Sequence, residues 1–148
     1  MVKRRSVPDT FQPLFVYLDA NVLFSASWSE QNRFLKFWRL REITPVTSPY
    51  VVDEVDRNIR KAEHRLRFDM LMEKTTMVSD GPLQIVPEDI VLVSKDRPIL
   101  ASAIFASMDY LVTGDTNHFG HLHNTTVSHV KILSPGDFLD RYEYRLKF

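Results

Sequence analysis

The chain contains no cysteine. It therefore has no disulfide, no thiolate metal site and no cysteine nucleophile, a composition that fits a reducing interior. No apolar run approaches the roughly 20 residues that a helix needs to cross a bilayer, so no membrane association is expected. The basic start at Lys3–Arg5 is not followed by the apolar segment of a signal peptide. A cytoplasmic location is the resulting expectation.

The sequence also has few glycines and a net charge of zero. Only four glycines occur, and the sequence has neither a glycine-rich phosphate-binding loop nor a serine-nucleophile elbow. The 19 basic and 19 acidic residues cancel, which argues against the overall basic excess of many nucleic-acid binders. The basic residues are nevertheless clustered, because residues 57–67 contain five of them and a single acid, Glu63. Taken alone, that cluster predicts a solvated helix face.

The remaining composition is that of an ordinary globular domain. Hydrophobic residues make up 44% and charged residues 26% of the 148 positions, and two separate cores from so short a chain would be marginal. We expect a tail over residues 1–12 and a single domain over residues 13–148. Short apolar runs alternate with helical patterns in that domain. This alternation predicts an α/β fold with a mainly parallel sheet flanked by helices.

Strands are predicted at 14–18, 43–47, 83–86, 109–113 and 130–133. Helices are predicted at 21–26, at 30–41, from Ser48 to about Met77 in one or two pieces, at 96–108 and from Ser134 onwards. Ser48 can cap its helix and Pro49 suits the first turn. The buried face of that helix is expected at Val51, Val55, Ile59, Ala62 and Leu66. A second apolar stripe, at Phe34, Phe37, Trp38 and Arg41, indicates core packing or a surface for a second copy or another protein.

Four carboxylates stand at predicted strand ends or helix starts, namely Asp19, Glu54, Asp96 and Asp115. Taken singly, each has a structural explanation as a cap, a turn residue or a charge that favours a helix N-terminus. Ligands of open parallel sheets bind beyond the carboxyl ends of the strands. Four acids brought together there would repel one another without a cation, and hard divalent ions take oxygen ligands. The pattern predicts a cation site if these segments converge.

Five segments resemble, in order, the motifs of PIN-domain nucleases. Leu18–Leu23 resembles the opening motif, usually Asp-Thr-Asn-Val-Leu, and Ser48–Val55 resembles the second, which supplies a glutamate at a helix start. Asp96–Ala103 resembles the third, an acid that heads an apolar helix. Tyr110–Phe119 is similar to the fourth, a strand that ends in Thr-x-Asp, and Ile132–Leu139 is similar to the usual ending. The VapC-like toxins of toxin–antitoxin pairs belong to this family.

The resemblance implies a five-stranded parallel sheet and metal-dependent hydrolysis of single-stranded RNA. The implied catalytic residues, which hold one or two Mg²⁺ or Mn²⁺ ions, are Asp19, Glu54, Asp96 and Asp115. The implied supporting residues are Asn21 and Thr113, through hydrogen bonds, and Asn117 at the rim. Ala20 replaces the family's usual hydroxyl residue, which removes a helix-start hydrogen bond but no metal ligand.

The same resemblance leads to expectations about partners. The RNA backbone would be tracked by the basic helix after Glu54, with Arg57, Arg60 and Lys61 as the contacts. An antitoxin protein is an expected partner of a toxin, and a homodimer is a further expectation.

Two other functions remain open at this stage. A PIN module without activity would bind RNA or a protein without forming product. Phosphotransfer on Asp19 is the other, although a dehalogenase-like pattern expects a second aspartate where this chain has Asn21. His118, His121 and His123 make a poor zinc site without cysteine, and we expect them at the surface, with His118 able to touch a substrate phosphate.

Overall fold

A six-stranded sheet organises the chain. The computed structural model describes residues 13–146, so the tail predicted for residues 1–12 lies outside the described residues. The strands are β1 (Leu14–Leu18), β2 (Ile43–Thr47), β3 (Thr76–Met77), β4 (Tyr110–Val112), β5 (Thr126–Val127) and β6 (Val130–Leu133). Their order across the sheet is β3-β2-β1-β4-β6-β5, and every pairing is parallel except that of β5 with β6. The predicted α/β fold with a mainly parallel sheet is confirmed.

Helices connect these strands and flank the sheet. They are α1 (Ala20–Ala26), α2 (Lys36–Arg39), α3 (Pro49–Asn58), α4 (Ala62–Met72), α5 (Arg97–Phe105), α6 (Thr116–Phe119) and α7 (Pro135–Leu146), with short 3₁₀ helices at Arg33–Leu35, Leu83–Ile85 and Gly120–Leu122. None of the helices in the described part of the chain has both the length and the apolar character needed to span a membrane.

The predicted number of five strands is wrong. Residues 83–86 do not form a strand, because Leu83–Ile85 is a 3₁₀ helix with an exposed Leu83. The strand on that side of the sheet is β3, which lies inside the segment predicted to be helical. Both residues of β3 are exposed, and β5 consists only of the exposed Thr126 and the buried Val127, so neither edge strand is long enough to show an alternation of apolar and polar residues.

The predicted buried face of the long helix holds only in its first part. Because three residues separate the end of α3 from the start of α4, the helical phase is reset between them. Ala62 and Leu66, which were expected to be buried, are therefore exposed. His64 and Phe68 point into the protein in their place. Ala62 and Leu66 thus do not belong to the core.

Two further local predictions have mixed outcomes. The helix expected over 30–41 is reduced to a 3₁₀ turn and α2, but Phe37 of its apolar stripe is fully buried, and Phe34 and Trp38 pack against the core. Ser48 stands at the start of α3 without a side-chain capping bond. Its hydroxyl is hydrogen-bonded instead to the buried Tyr17 hydroxyl, which ties α3 to the central strand.

Gly81 occupies a site with no room for a side chain. Its backbone N–H donates to Ser102 Oγ at 3.0 Å, and a Cβ at this position would lie 2.4 Å from the carbonyl oxygen of Ala101 in α5. The loop after β3 therefore packs on α5 through its backbone.

Gly81→Ala should lower the free energy of unfolding by about 1–3 kcal/mol, because the added methyl group overpacks this contact. Gly136→Ala is the matched control, since a Cβ there meets nothing within 4 Å. The control should leave stability unchanged or raise it by up to about 1 kcal/mol through helix propensity in α7. Urea unfolding of both variants measures the difference, and equal stabilities would contradict the packing.

Candidate functional site

The carboxyl ends of β1 and β4 lie side by side. Leu18 is paired with Val112, so the next residues of the two strands, Asp19 and Thr113, are neighbours. The backbone N–H of Asp19 donates to the carbonyl oxygen of Val112 at 3.1 Å. The two acidic strand tips that are far apart in the sequence therefore meet at one edge of the sheet.

The carboxylate of Asp19 is buried and accepts hydrogen bonds at both of its oxygens. Its Oδ1 accepts from the Ala20 N–H at 2.7 Å, and its Oδ2 accepts from Thr113 Oγ1 at 2.7 Å and from Asn21 Nδ2 at 3.2 Å. The Asn21 side-chain oxygen in turn accepts from the Gly114 N–H at 2.7 Å. Asn21 thus links the start of α1 to the loop after β4, and Thr113 holds Asp19 in place.

A second group of polar side chains includes Asp96, Asp115 and His118. One ligand atom from each of these residues lies within 4.8 Å of the other two. His118 Nδ1 is 2.7 Å from Asp96 Oδ2 and 3.1 Å from Asp115 Oδ2. The shorter contact is not aligned as a hydrogen bond, so the buried atoms Asp96 Oδ2 and His118 Nδ1 have no hydrogen-bonding partner among the described residues.

Local structure explains how these three side chains meet. Asp96 is the residue before α5, where Pro98 stands in the first turn. Asp115 caps the short helix α6, its Oδ1 accepting from the His118 N–H at 3.0 Å. The spacing of three residues between Asp115 and His118 places both side chains on one face of that helical turn.

Glu54 and Asn117 are placed differently. Glu54 is half-buried in α3 and lines a cleft of about 350 Å³ together with Asn21 and Phe24 of α1. Its charge acts on Asp19, but its carboxylate is not part of the group of three. Asn117 is exposed on α6, and no hydrogen bond joins it to the acids in the part of the chain that the structure describes.

Burial and mutual repulsion disfavour charge on these carboxyl groups. The pKa of Asp19 is raised to about 6, mainly by burial and in smaller part by the charges of Glu54 and Asp96, while the hydrogen bonds from Thr113 and Ala20 oppose the rise. Burial likewise raises the pKa of Asp96; His118 opposes this and the charge of Asp115 adds to it. A cation at this edge would offset the repulsion.

The donor atoms fit a divalent ion. Carboxylate oxygens are the preferred ligands of Mg²⁺ and Mn²⁺, and imidazole nitrogen is an additional ligand that the transition metal accepts. Two ligand atoms at right angles about an ion, each about 2.1 Å from it, lie about 3 Å apart. The contacts of 2.7 and 3.1 Å around His118 Nδ1 are close to that spacing.

His118 is the residue whose importance the sequence understated. It was expected at the surface, but its Nδ1 lies against two acids and its side chain is 32% exposed. The Asp-x-x-His spacing at the start of α6 is the sequence signal that pairs it with Asp115. The other two loop histidines have separate neighbours, since His121 Nε2 is 2.6 Å from the Val91 carbonyl and His123 Nε2 is 3.0 Å from the Thr113 carbonyl.

Comparison with known proteins identifies the fold. The sequence matches no family model and no curated protein. Among solved structures, the chain is similar to one chain in the crystal structure of VapBC2 from Rickettsia felis bound to a DNA fragment from their promoter, with a TM-score of 0.61. The match covers 82% of this chain and 98% of that one, at 14% sequence identity. At this identity the likeness shows a shared fold and nothing further.

The pKa of Asp19 gives a prediction for metal-free protein. The ordinary pKa of an aspartate is 3.8 and the folded value is about 6, so the folded state binds the proton more tightly than the unfolded chain does. The free energy of unfolding should therefore fall as the pH rises from about 4 through about 6, by up to about 3 kcal/mol from this group. Asp19→Asn should lack this component.

Urea unfolding at several pH values in the presence of chelator measures the effect, taken as the difference between wild type and Asp19→Asn. The difference should change in favour of the variant as the pH rises. A difference that stays constant between pH 4 and 7 would show that burial does not penalise the charged form of Asp19.

Proposed function

We propose that this protein is a divalent-metal-dependent ribonuclease that hydrolyses phosphodiester bonds of single-stranded RNA. The observation that carries the proposal is the convergence of Asp96, Asp115 and His118 beside Asp19 at the carboxyl edge of the sheet. The similar fold in the VapBC2 crystal structure and the resemblance of five segments to PIN-domain nucleases support it.

The acids would hold one or two Mg²⁺ or Mn²⁺ ions. Asp96 and Asp115 are the first candidates because their carboxylates are close together and Asp96 Oδ2 has no aligned hydrogen-bonding partner among the described residues. Asp19 and Glu54 would complete the site. When bound, a divalent ion supplies positive charge that stabilises the transition state of phosphodiester hydrolysis and lowers the pKa of water.

The residues of the chain have distinct tasks in this scheme. Thr113 and Asn21 fix the position of the Asp19 carboxylate through their hydrogen bonds. The raised pKa values of Asp19 and Asp96 mean that these acids hold protons more tightly than ordinary aspartates do, so cation binding would compete with protonation at this site. His118, on the side of Asp96 and Asp115, is placed to reach the same ion or a phosphate oxygen of the substrate.

Exposed cations beside the cleft favour a nucleic-acid substrate. Arg57, Arg60 and Lys61 are exposed at the end of α3 and before α4, and they make no ion pair with any residue that the structure describes. Neighbouring acids are partly neutralised, because Arg65 pairs with Asp56 at 2.7 Å. Cations of this kind bind phosphates in a salt-dependent and sequence-independent way.

We extend the proposal to the role of a toxin with an antitoxin partner. The structure that supports it is the VapBC2 crystal structure, and the chain offers an apolar groove of about 300 Å³ between α2 and α4. Leu35, Trp38, Met70 and Leu71 line the groove, and the charged residues around it are the three cations Arg39, Arg67 and Lys74 and the single acid Glu30. Such a groove suits an apolar segment that carries acidic residues.

Asp19→Asn and Asp115→Asn should each reduce cleavage of single-stranded RNA by at least about a hundredfold while the fold is retained, because each removes a charge on which the metal site depends. The test is gel analysis of RNA after incubation with Mg²⁺ or Mn²⁺, with chelator as the blank and circular dichroism as the check on folding. Asp53→Asn, an exposed acid next to Glu54, is the matched control and should cleave normally. Metal-dependent cleavage that persists in both site variants would refute the assignment.

Metal binding can be measured without any activity. Mn²⁺ at a hundred times its dissociation constant should raise the free energy of unfolding by about 2.7 kcal/mol, because the ion binds only the folded site. Removal of the ion with chelator should reverse this gain, and Asp96→Asn should abolish it. Thermal or urea unfolding provides the measurement, again with Asp53→Asn as the control. An equal gain in Asp96→Asn would place the ion elsewhere.

A further inference from the structure

Trp28 is an unusual surface residue because it is both exposed and fixed. Its side chain is 53% exposed. Its ring nevertheless lies 4.1 Å, between centroids, from the ring of the buried His64, and 5.8 Å from Phe24. Arg67 holds the backbone on which it stands, donating to the carbonyl oxygens of Ser27 and Trp28 at 2.9 and 2.8 Å. The indole is therefore a pre-positioned aromatic surface rather than a freely rotating side chain.

A line of side chains joins Trp28 to the candidate metal site. Asn21 and Phe24 both line the cleft that Glu54 borders, and Phe24 contacts Trp28. These three α1-side positions are spaced by three and four residues, which places them along one face of the helix and the turn that follows it. Seven residues of helix span about 10 Å, the length of about three stacked nucleotides.

Cations accompany this aromatic line. Lys61 Nζ lies 5.8 Å from the centroid of the Trp28 ring, within the range of a cation–π contact. Arg57 and Arg60 precede Lys61 in a five-residue stretch that contains no acid. An aromatic surface bordered by unpaired cations is the combination that binds a single strand, because bases stack on the ring while the cations contact the phosphates.

We propose that Trp28 is a stacking surface for an unpaired base of the RNA substrate, about two or three nucleotides from the scissile phosphate, with Lys61 beside it for the backbone. The inference rests on the proposed function for the identity of the site but concerns binding alone. It gives a physical reason for a preference for single strands, since the bases of a duplex are already stacked and present no free face.

The chain carries its own reporter for this contact. Its two tryptophans are Trp28 and Trp38, and Trp38 is half-buried with its indole N–H bonded to Thr75. In a Trp38→Phe variant, all tryptophan emission comes from Trp28. Titration of this variant with an eight-residue oligouridine in chelator should quench the emission. An eight-residue abasic ribose-phosphate strand has the same charge without bases, and it should give little quenching and weaker binding.

Anisotropy of a labelled oligouridine provides a second measurement on the otherwise unchanged chain. Trp28→Ala should weaken binding by about tenfold or more, the range for loss of one stacked base, and Trp28→Phe should restore most of the affinity. Phe105→Ala is the matched control, because Phe105 is also 53% exposed but lies at the end of α5 remote from Asp96. The control should bind like the wild type.

Three outcomes would overturn the inference. The first is equal binding of the abasic and base-carrying strands, and the second is unchanged affinity in Trp28→Ala. The third is a change in the self-association of Trp28→Ala, measured by light scattering, because it would place the indole in a contact between copies of the chain. None of these measurements requires cleavage. Binding that depends on Trp28 without any cleavage would refute the ribonuclease but keep Trp28 as a base-stacking surface for single-stranded RNA. Cleavage with binding independent of Trp28 would refute the stacking surface and keep the ribonuclease.

Discussion

The parallel pairing of β1 with β4 is the constraint on which the rest of the site depends. It places Asp19 beside Thr113, although 94 positions separate them in the chain, and the bond of 2.7 Å from Thr113 Oγ1 to Asp19 Oδ2 joins the two strand tips. Asp115 stands two residues after Thr113, and its backbone N–H donates to the same hydroxyl at 3.2 Å. A shift of one residue in this register would turn every side chain of β4 to the opposite face and separate the acids.

The packing of the hydrophobic core offsets the repulsion between the negative charges at this edge. Tyr17, Leu18 and Leu111, close to the ends of β1 and β4, are fully buried. Their burial holds the strand ends together although the carboxylates at this edge repel one another. The raised pKa values of Asp19 and Asp96 record the resulting cost of charge. A bound cation would reduce this repulsion, which is the electrostatic relation expected at a site that binds a metal ion.

Helix α1 joins the acidic edge of the sheet to the exposed Trp28. Its first residues take part in the network around Asp19, and the turn after its last residue presents Trp28. Because α1 is short and packed through Val22 and Leu23, the two ends cannot move independently. The same seven residues therefore set the distance between the acids and the exposed aromatic surface. The groove between α2 and α4 borders this line, because Arg67, which holds the Trp28 backbone, also lines the groove.

The sequence by itself determined the elements that carry strong local signals. The apolar run of β1, the Pro49 start of α3 and the apolar helix after Asp96 were predicted because each is marked by composition or a breaker residue. The two-residue edge strands β3 and β5 carry no such signal, because they are defined by hydrogen bonding to a neighbouring strand. The break between α3 and α4 was missed for a related reason: a three-residue interruption hardly disturbs an apolar pattern but resets which residues face the core.

Only the tertiary structure decided which acids meet. Their positions at strand ends and helix starts made four acids the candidates for the site, namely Asp19, Glu54, Asp96 and Asp115. Their spacing along the chain does not give the distances between them in space. The fold brings Asp96 and Asp115 together with His118, and it leaves Glu54 outside that group as a charge that raises the pKa of Asp19. His118 joins this group because one turn of α6 directs its side chain toward Asp115, the cap residue of that helix, and toward Asp96 at the start of α5. The two helices become neighbours only when the sheet has formed.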